Sequence, residues 1–124
     1  SCFANFEIAR QQGVDAEEYF YNWEEYVSSI DYISSVYFEE EWTGMGRDFK
    51  AHAFAGKNVE VEYRFELHNM DTGDIRILKE YGKESECTWD CSEDGNFIVI
   101  MKARQVGSDV DYERYYAQDF VNKR

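Results

Sequence analysis

The chain has 124 residues, enough for one domain with one core, and its 44% hydrophobic and 18% aromatic content excludes a disordered segment. Its formal net charge of −13 is uneven: residues 1–45 hold ten acids against the single base Arg10, a balance of −9, and the remainder hold sixteen acids against twelve bases, a balance of −4. Such a surface repels phosphate backbones and anionic headgroups, which excludes ordinary nucleic-acid and membrane partners and leaves basic partners open.

Residues 15–30, DAEEYFYNWEEYVSSI, predict an amphipathic helix, because Ala16, Tyr19, Phe20, Trp23, Tyr26, Val27 and Ile30 recur at i, i+3, i+4 and i+7. Asp15 and Glu18 form a capping box, and Val14 and Tyr19 a hydrophobic staple. Glu17 and Glu18 suit the positive end of the helix dipole. Before it, FANFEIARQQG reads as a shorter helix ended by Gly13.

After Asp31 the period changes from 3.6 to 2, and turn residues recur about every 8–12 positions, the pattern of an all-β sandwich or barrel. Strands are expected near 32–39, 48–54, 59–68, 74–81, 85–90, 96–105 and 111–119. In VEVEYRFEL, Val59, Val61, Tyr63, Phe65 and Leu67 share one face, and Glu60, Glu62, Arg64 and Glu66 the other, so a slip of one residue would bury the charges. NFIVIMKAR is apolar on both faces at first, which suits a central strand covered on both sides, with the N-terminal helix as part of the cover. Proline is absent, so turns fall to Gly, Asn and Asp, as in HNMDTGDI and SEDGN. No run approaches the roughly 18 apolar residues of a membrane helix and no basic, apolar leader precedes Ser1, so the expectation is a soluble chain.

EYRFEL, ILKEYG, CTWDCSEDGNFIVIMKAR and the Asp-Tyr element of SDVDYERY, in that order, resemble the triple-tyrosine (Y-Y-Y) family of immunoglobulin-like domains over about residues 43–119. Two departures stand out: Asp90-Cys91 follows Thr-Trp where the family commonly reads Thr-Pro, and Phe97 replaces the tyrosine of the Gly-x-Tyr turn. The resemblance implies that Tyr63, Tyr81, Trp89 and Phe97 frame the core, beside Phe65 of the strand pattern. It further implies a non-catalytic accessory or spacer module in a longer bacterial surface or secreted protein.

Cys87 and Cys91 have C-x3-C spacing and Cys2 is the only other thiol, while His52 and His68 stand sixteen residues apart on predicted strands, so no four-ligand zinc pattern emerges. A disulfide between Cys87 and Cys91 needs their Cα atoms within about 7 Å, whereas an extended strand would separate them by ~13 Å; free, partly buried thiols are expected. Asp71, Asp74, Asp94, Asp109 and Asp111 read as turn formers, since no D-x-D-x-D-G loop with a following Glu is present. Tyr21, Trp42, Tyr115 and Tyr116 are the aromatics available for a sugar-stacking platform.

The expectation is therefore a mainly β protein: an immunoglobulin-like antiparallel sandwich of about seven strands over residues 32–124, with a helical segment, residues 1–31, packed on it. No catalytic group, cofactor or metal is expected. A protein or glycan partner, adjacent domains and an extracellular or cell-surface location are expected. The alternative is a small acidic cytoplasmic inhibitor or nucleic-acid mimic, in which Glu17, Glu18, Glu24, Glu25, Glu39, Glu40 and Glu41 face the basic groove of a partner. A third reading is an α+β fold in which the long helix crosses one curved sheet over a cavity.

Overall fold

The computed structural model describes residues 31–123. The period-two segments pair into seven strands: β1 (Ile33–Trp42), β2 (Arg47–Ala55), β3 (Val61–Asn69), β4 (Ile75–Gly82), β5 (Glu86–Trp89), β6 (Gly95–Gln105) and β7 (Arg114–Asn122). The predicted helices before Asp31 lie outside the described residues, and among the described residues no helix forms. β1 runs further than its sequence pattern suggested because Glu39, Glu40 and Glu41 keep pairing with Lys50, Phe49 and Asp48. β7 starts later, at Arg114, because the chain turns through Gly107 and Ser108, and Glu113 N–H reaches back to the Ala103 carbonyl at 2.8 Å.

The strands form two antiparallel sheets, ordered β1-β2-β5 and β4-β3-β6-β7, in place of the single curved sheet of the α+β reading. They face each other as a β-sandwich whose filling is aromatic. Phe38 and Phe49 of one sheet meet Phe65, Tyr116 and Phe120 of the other at ring separations between 4.9 and 6.1 Å. Trp89, only 1% exposed, meets Phe97 edge-on at 5.1 Å and Phe120 at 6.1 Å. Such pairs are each worth about 0.5–1.5 kcal/mol beyond burial.

Two clips hold the turns. Asp71, in the β3–β4 turn, accepts from the Asn96 backbone N–H at 3.0 Å and from Asn96 Nδ2 at 3.1 Å, binding that turn to the start of β6. Asn122 Nδ2, at the end of β7, donates to the carbonyls of Cys91 and Glu93 at 2.7 and 2.5 Å, fixing the β5–β6 loop. Gly95 lies between the clips with φ 138°, and a Cβ there would come within 2.7 Å of Asp71 Oδ2, so the position requires glycine. Cys91 also has positive φ, 54°, which a β-carbon makes unfavourable, and the Asn122 bond holds it there.

Candidate binding faces

Residues directly opposite in an antiparallel ladder project to the same side. In β1-β2-β5 the pairs Glu39 with Lys50, Glu41 with Asp48, Asp48 with Thr88 and Lys50 with Glu86 therefore build one outward patch. Four carboxylates there meet one lysine, beneath an open depression of about 620 Å³ that they line. Glu41 stands directly across from Asp48, an arrangement that costs the sheet stability. The Thr88 hydroxyl donates to Asp48 at 3.1 Å. Further along the same face, Tyr37 stacks on His52 at 4.8 Å and on Phe54 at 6.3 Å, and His52 Nε2 lies 3.3 Å from Glu39.

Glu40 also borders the depression, but its carboxylate does not point with the others. Strand alternation turns it to the other side of β1, where it accepts from Arg47 at 2.6 Å. The Arg47 guanidinium in turn covers the rings of Phe120 and Trp42 at 4.7 and 5.5 Å. The run EEE thus splits between two faces and cannot present three carboxylates together. Glu17, Glu18, Glu24 and Glu25 lie outside the described residues.

The outward face of β4-β3-β6-β7 is of another kind. Glu66, at its centre, is 4% exposed. Lys102 Nζ, Arg64 Nε and His68 Nε2 approach its carboxylate at 3.1, 3.1 and 3.0 Å. Burial alone would raise the Glu66 pKa, but the hydrogen bonds to His68 and Lys102 and the charges of Lys102 and Arg64 outweigh it and hold the carboxyl below its ordinary value. Glu62 and Arg104 pair beside it at 2.5 Å. Toward the other end, Ile77 and Ile100 flank Glu66, and Ile75 and Ile98 flank His68, on the two strands that border β3.

Of the aromatics assigned to the core, Tyr63, Phe65, Trp89 and Phe97 lie in it, and Tyr81 does not. Two register shifts in the β3–β4 ladder put Gly82 opposite Tyr63, which leaves Tyr81 on the outward face. There the Arg104 guanidinium stacks 3.8 Å from its ring and its hydroxyl donates to the Asp111 carbonyl at 2.5 Å. Burial drives its hydroxyl pKa up to about 12, with Arg104 pulling it down and Asp111 pushing it up.

The aromatics considered for sugar stacking do not converge. Tyr116 packs inward on Phe38, Trp42 is covered on one side by Arg47, and Tyr115 meets Tyr112 edge-on with planes at 88°, so these two rings offer no common flat surface. Tyr21 lies outside the described residues.

Cys87 and Cys91 are free and buried. Burial pushes the Cys87 thiol up to about 11 against the pull of Lys79, and it raises Cys91 as well. Both are therefore poor nucleophiles at neutral pH. Among the described residues no three His, Cys, Asp or Glu side chains gather as metal ligands would. Sequence reasoning missed the Glu66 cluster and the Asn122 clip. The only trace of the first was alternation of charge along β3, which reads equally as a solvated face. No family model matches the chain, and no curated protein or solved structure matches it.

Proposed function

We propose that the protein is a non-catalytic binding module, an immunoglobulin-like domain from a bacterial surface or secreted protein, which uses the β1-β2-β5 face to hold a basic partner. The observation that carries the binding role is the patch of Glu39, Glu41, Asp48 and Glu86 around the single Lys50, kept although Glu41 opposes Asp48. The immunoglobulin-like reading draws support from the strand order. Three- and four-stranded antiparallel sheets pair first, second and fifth strands against fourth, third, sixth and seventh, which differs from the constant-type arrangement only in the sheet that takes the fourth strand. The resemblance to the triple-tyrosine family supplies the surface or secreted setting.

The same patch supports a second setting. Alternate residues of a strand lie about 6.7 Å apart, so Glu39 and Glu41 form a regular row of carboxylates suited to the basic groove of a nucleic-acid enzyme. The two settings differ in their partner. Purified chain is sedimented with insoluble bacterial cell wall and, in parallel, used to capture cytosolic proteins at low and high salt. Wall retention lost in a Glu39→Gln, Glu41→Gln variant supports the surface module. Salt-sensitive capture of a basic cytosolic protein without wall retention favours the inhibitor. Equal behaviour of variant and parent in both assays removes the face from the function.

A further inference from the structure

We propose that the protein self-associates through β7, whose open edge takes β7 of a second copy in antiparallel pairing, Gln118 opposite Gln118, and joins the two four-stranded sheets into one. The inference is independent of the partner proposed for the β1-β2-β5 face. A sheet edge presents unpaired N–H and C=O groups and recruits another strand unless charge, a bulge or shortness blunts it. Among the described residues, three of the four edges are blunted in these ways. β1 has a register shift between Ile33 and Ser35 and a run of three glutamates, β4 has two register shifts, and β5 is four residues long. β7 runs nine residues, Arg114–Asn122, in unbroken register with β6, and among the described residues it pairs with no other strand.

Backbone direction fixes which groups of β7 are free. Val106 N–H donates to the Glu60 carbonyl and Met70 N–H to the Asn96 carbonyl, so the even-numbered residues of β6 turn their backbone groups toward β3, and Phe97, Val99, Met101 and Ala103 turn theirs toward β7. The opposing residues Phe120, Gln118, Tyr116 and Arg114 are thereby used, and Tyr115, Ala117, Asp119 and Val121 aim N–H and C=O out of the edge. At its start β7 is tied across the sandwich by Arg114 Nε, which donates to the Ser34 carbonyl at 3.3 Å. The four free-edge residues follow, and all are exposed.

The strand is complementary to itself in one register. With Gln118 opposite Gln118, Tyr115 meets Val121 and Ala117 meets Asp119, each pair occurring twice by symmetry. These pairs exchange about eight backbone hydrogen bonds. Tyr115 and Val121, 59% and 60% exposed on the outward side, cover each other, and Glu113 falls opposite Lys123. A slip of two residues in one direction sets Asp119 against Asp119, and in the other sets Tyr115 against Asp119 and Glu113 against Val121. Like charges or mismatched side chains then face each other across the ladder, which costs stability. This self-complementarity selects a second copy as the strand that fits the edge.

The test is sedimentation equilibrium of the full chain over a concentration series, with amide exchange followed by NMR, in salt that screens the repulsion between two chains of net charge −13. The expected result is a monomer–dimer equilibrium in which the Tyr115, Ala117, Asp119 and Val121 amides gain protection as the dimer forms. Ala117→Pro leaves the β6–β7 ladder its bonds, because the lost N–H points away from β6. It is expected to weaken dimerisation by about tenfold or more, since one backbone bond is lost from each copy. Val121→Glu, which sets a charge against Tyr115 and leaves the backbone intact, is expected to weaken dimerisation as well and decides the matter if the proline variant fails to fold. A monomer at every concentration, or a dimer whose β7 amides still exchange freely, overturns the proposal. Protection that does not change on dilution also overturns it, and assigns the edge to another segment of the same chain.

Discussion

The Glu66 carboxylate lies 3.1 Å from Lys102 Nζ on the neighbouring strand, and Glu66 is the one charged residue buried among those described. Its folded pKa is below the ordinary value of 4.5, so it stabilises the fold above that pH, and the contribution is lost as pH falls through the folded value. Glu66→Gln is expected to cost about 1.5–3 kcal/mol at neutral pH, the range for hydrogen bonds to charged groups. It should also flatten the acid limb of stability below pH about 4.5. Urea midpoints of parent and variant between neutral pH and the acid limb check both; parallel curves would contradict the assignment.

Burial and a raised pKa make Cys87 and Cys91 unreactive until the sandwich opens. Alkylation of the two, located by mass spectrometry, is expected to follow global unfolding and to accelerate with urea. For Cys87, the thiolate should appear only near pH 11 in the folded protein. Rapid native-state labelling of either residue at neutral pH would refute the prediction.

Gly95→Ala places a methyl against Asp71 Oδ2 and a β-carbon at φ 138°, and is expected to destabilise by about 1–3 kcal/mol. Asp71→Ala removes the carboxylate that holds Asn96, and amide exchange should rise at both Asn96 and Met70, whose N–H donates to the Asn96 carbonyl at 2.8 Å. If only Asn96 responds, the two turns are not coupled.

Trp89→Ala is expected to cost roughly 3–5 kcal/mol, the usual loss for a large core aromatic, and Trp89→Phe distinctly less because the contact with Phe97 is partly kept. Thermal unfolding followed by circular dichroism measures both. A loss under about 1 kcal/mol for the alanine variant would show that Trp89 is not central to the filling.

Alternation made β3 and the inner half of β6 readable from sequence, because every second residue from Val61 to Leu67 and from Phe97 to Ala103 had to face inward. The same rule separates Glu40 from Glu39 and Glu41, so EEE does not hold its three side chains on one face. Tyr81 was not readable. Its direction depends on two register shifts that involve a neighbouring strand, and no residue within ILKEYG signals them. The Glu66 cluster also needed the structure, since Lys102 and Glu66 are brought together only by the β3–β6 register that sets Glu66 against Ile100 and Arg64 against Lys102.

The two buried thiols have a consequence for how such a domain assembles. Between Ile33 and Asn122 the sheets are held by packed rings, backbone pairing and side-chain contacts such as Arg47 over Phe120, and Cys87 and Cys91 stay unbridged. No disulfide between Cys87 and Cys91 contributes to the cohesion of the sandwich. Assembly of the two sheets then needs no covalent maturation step at either cysteine.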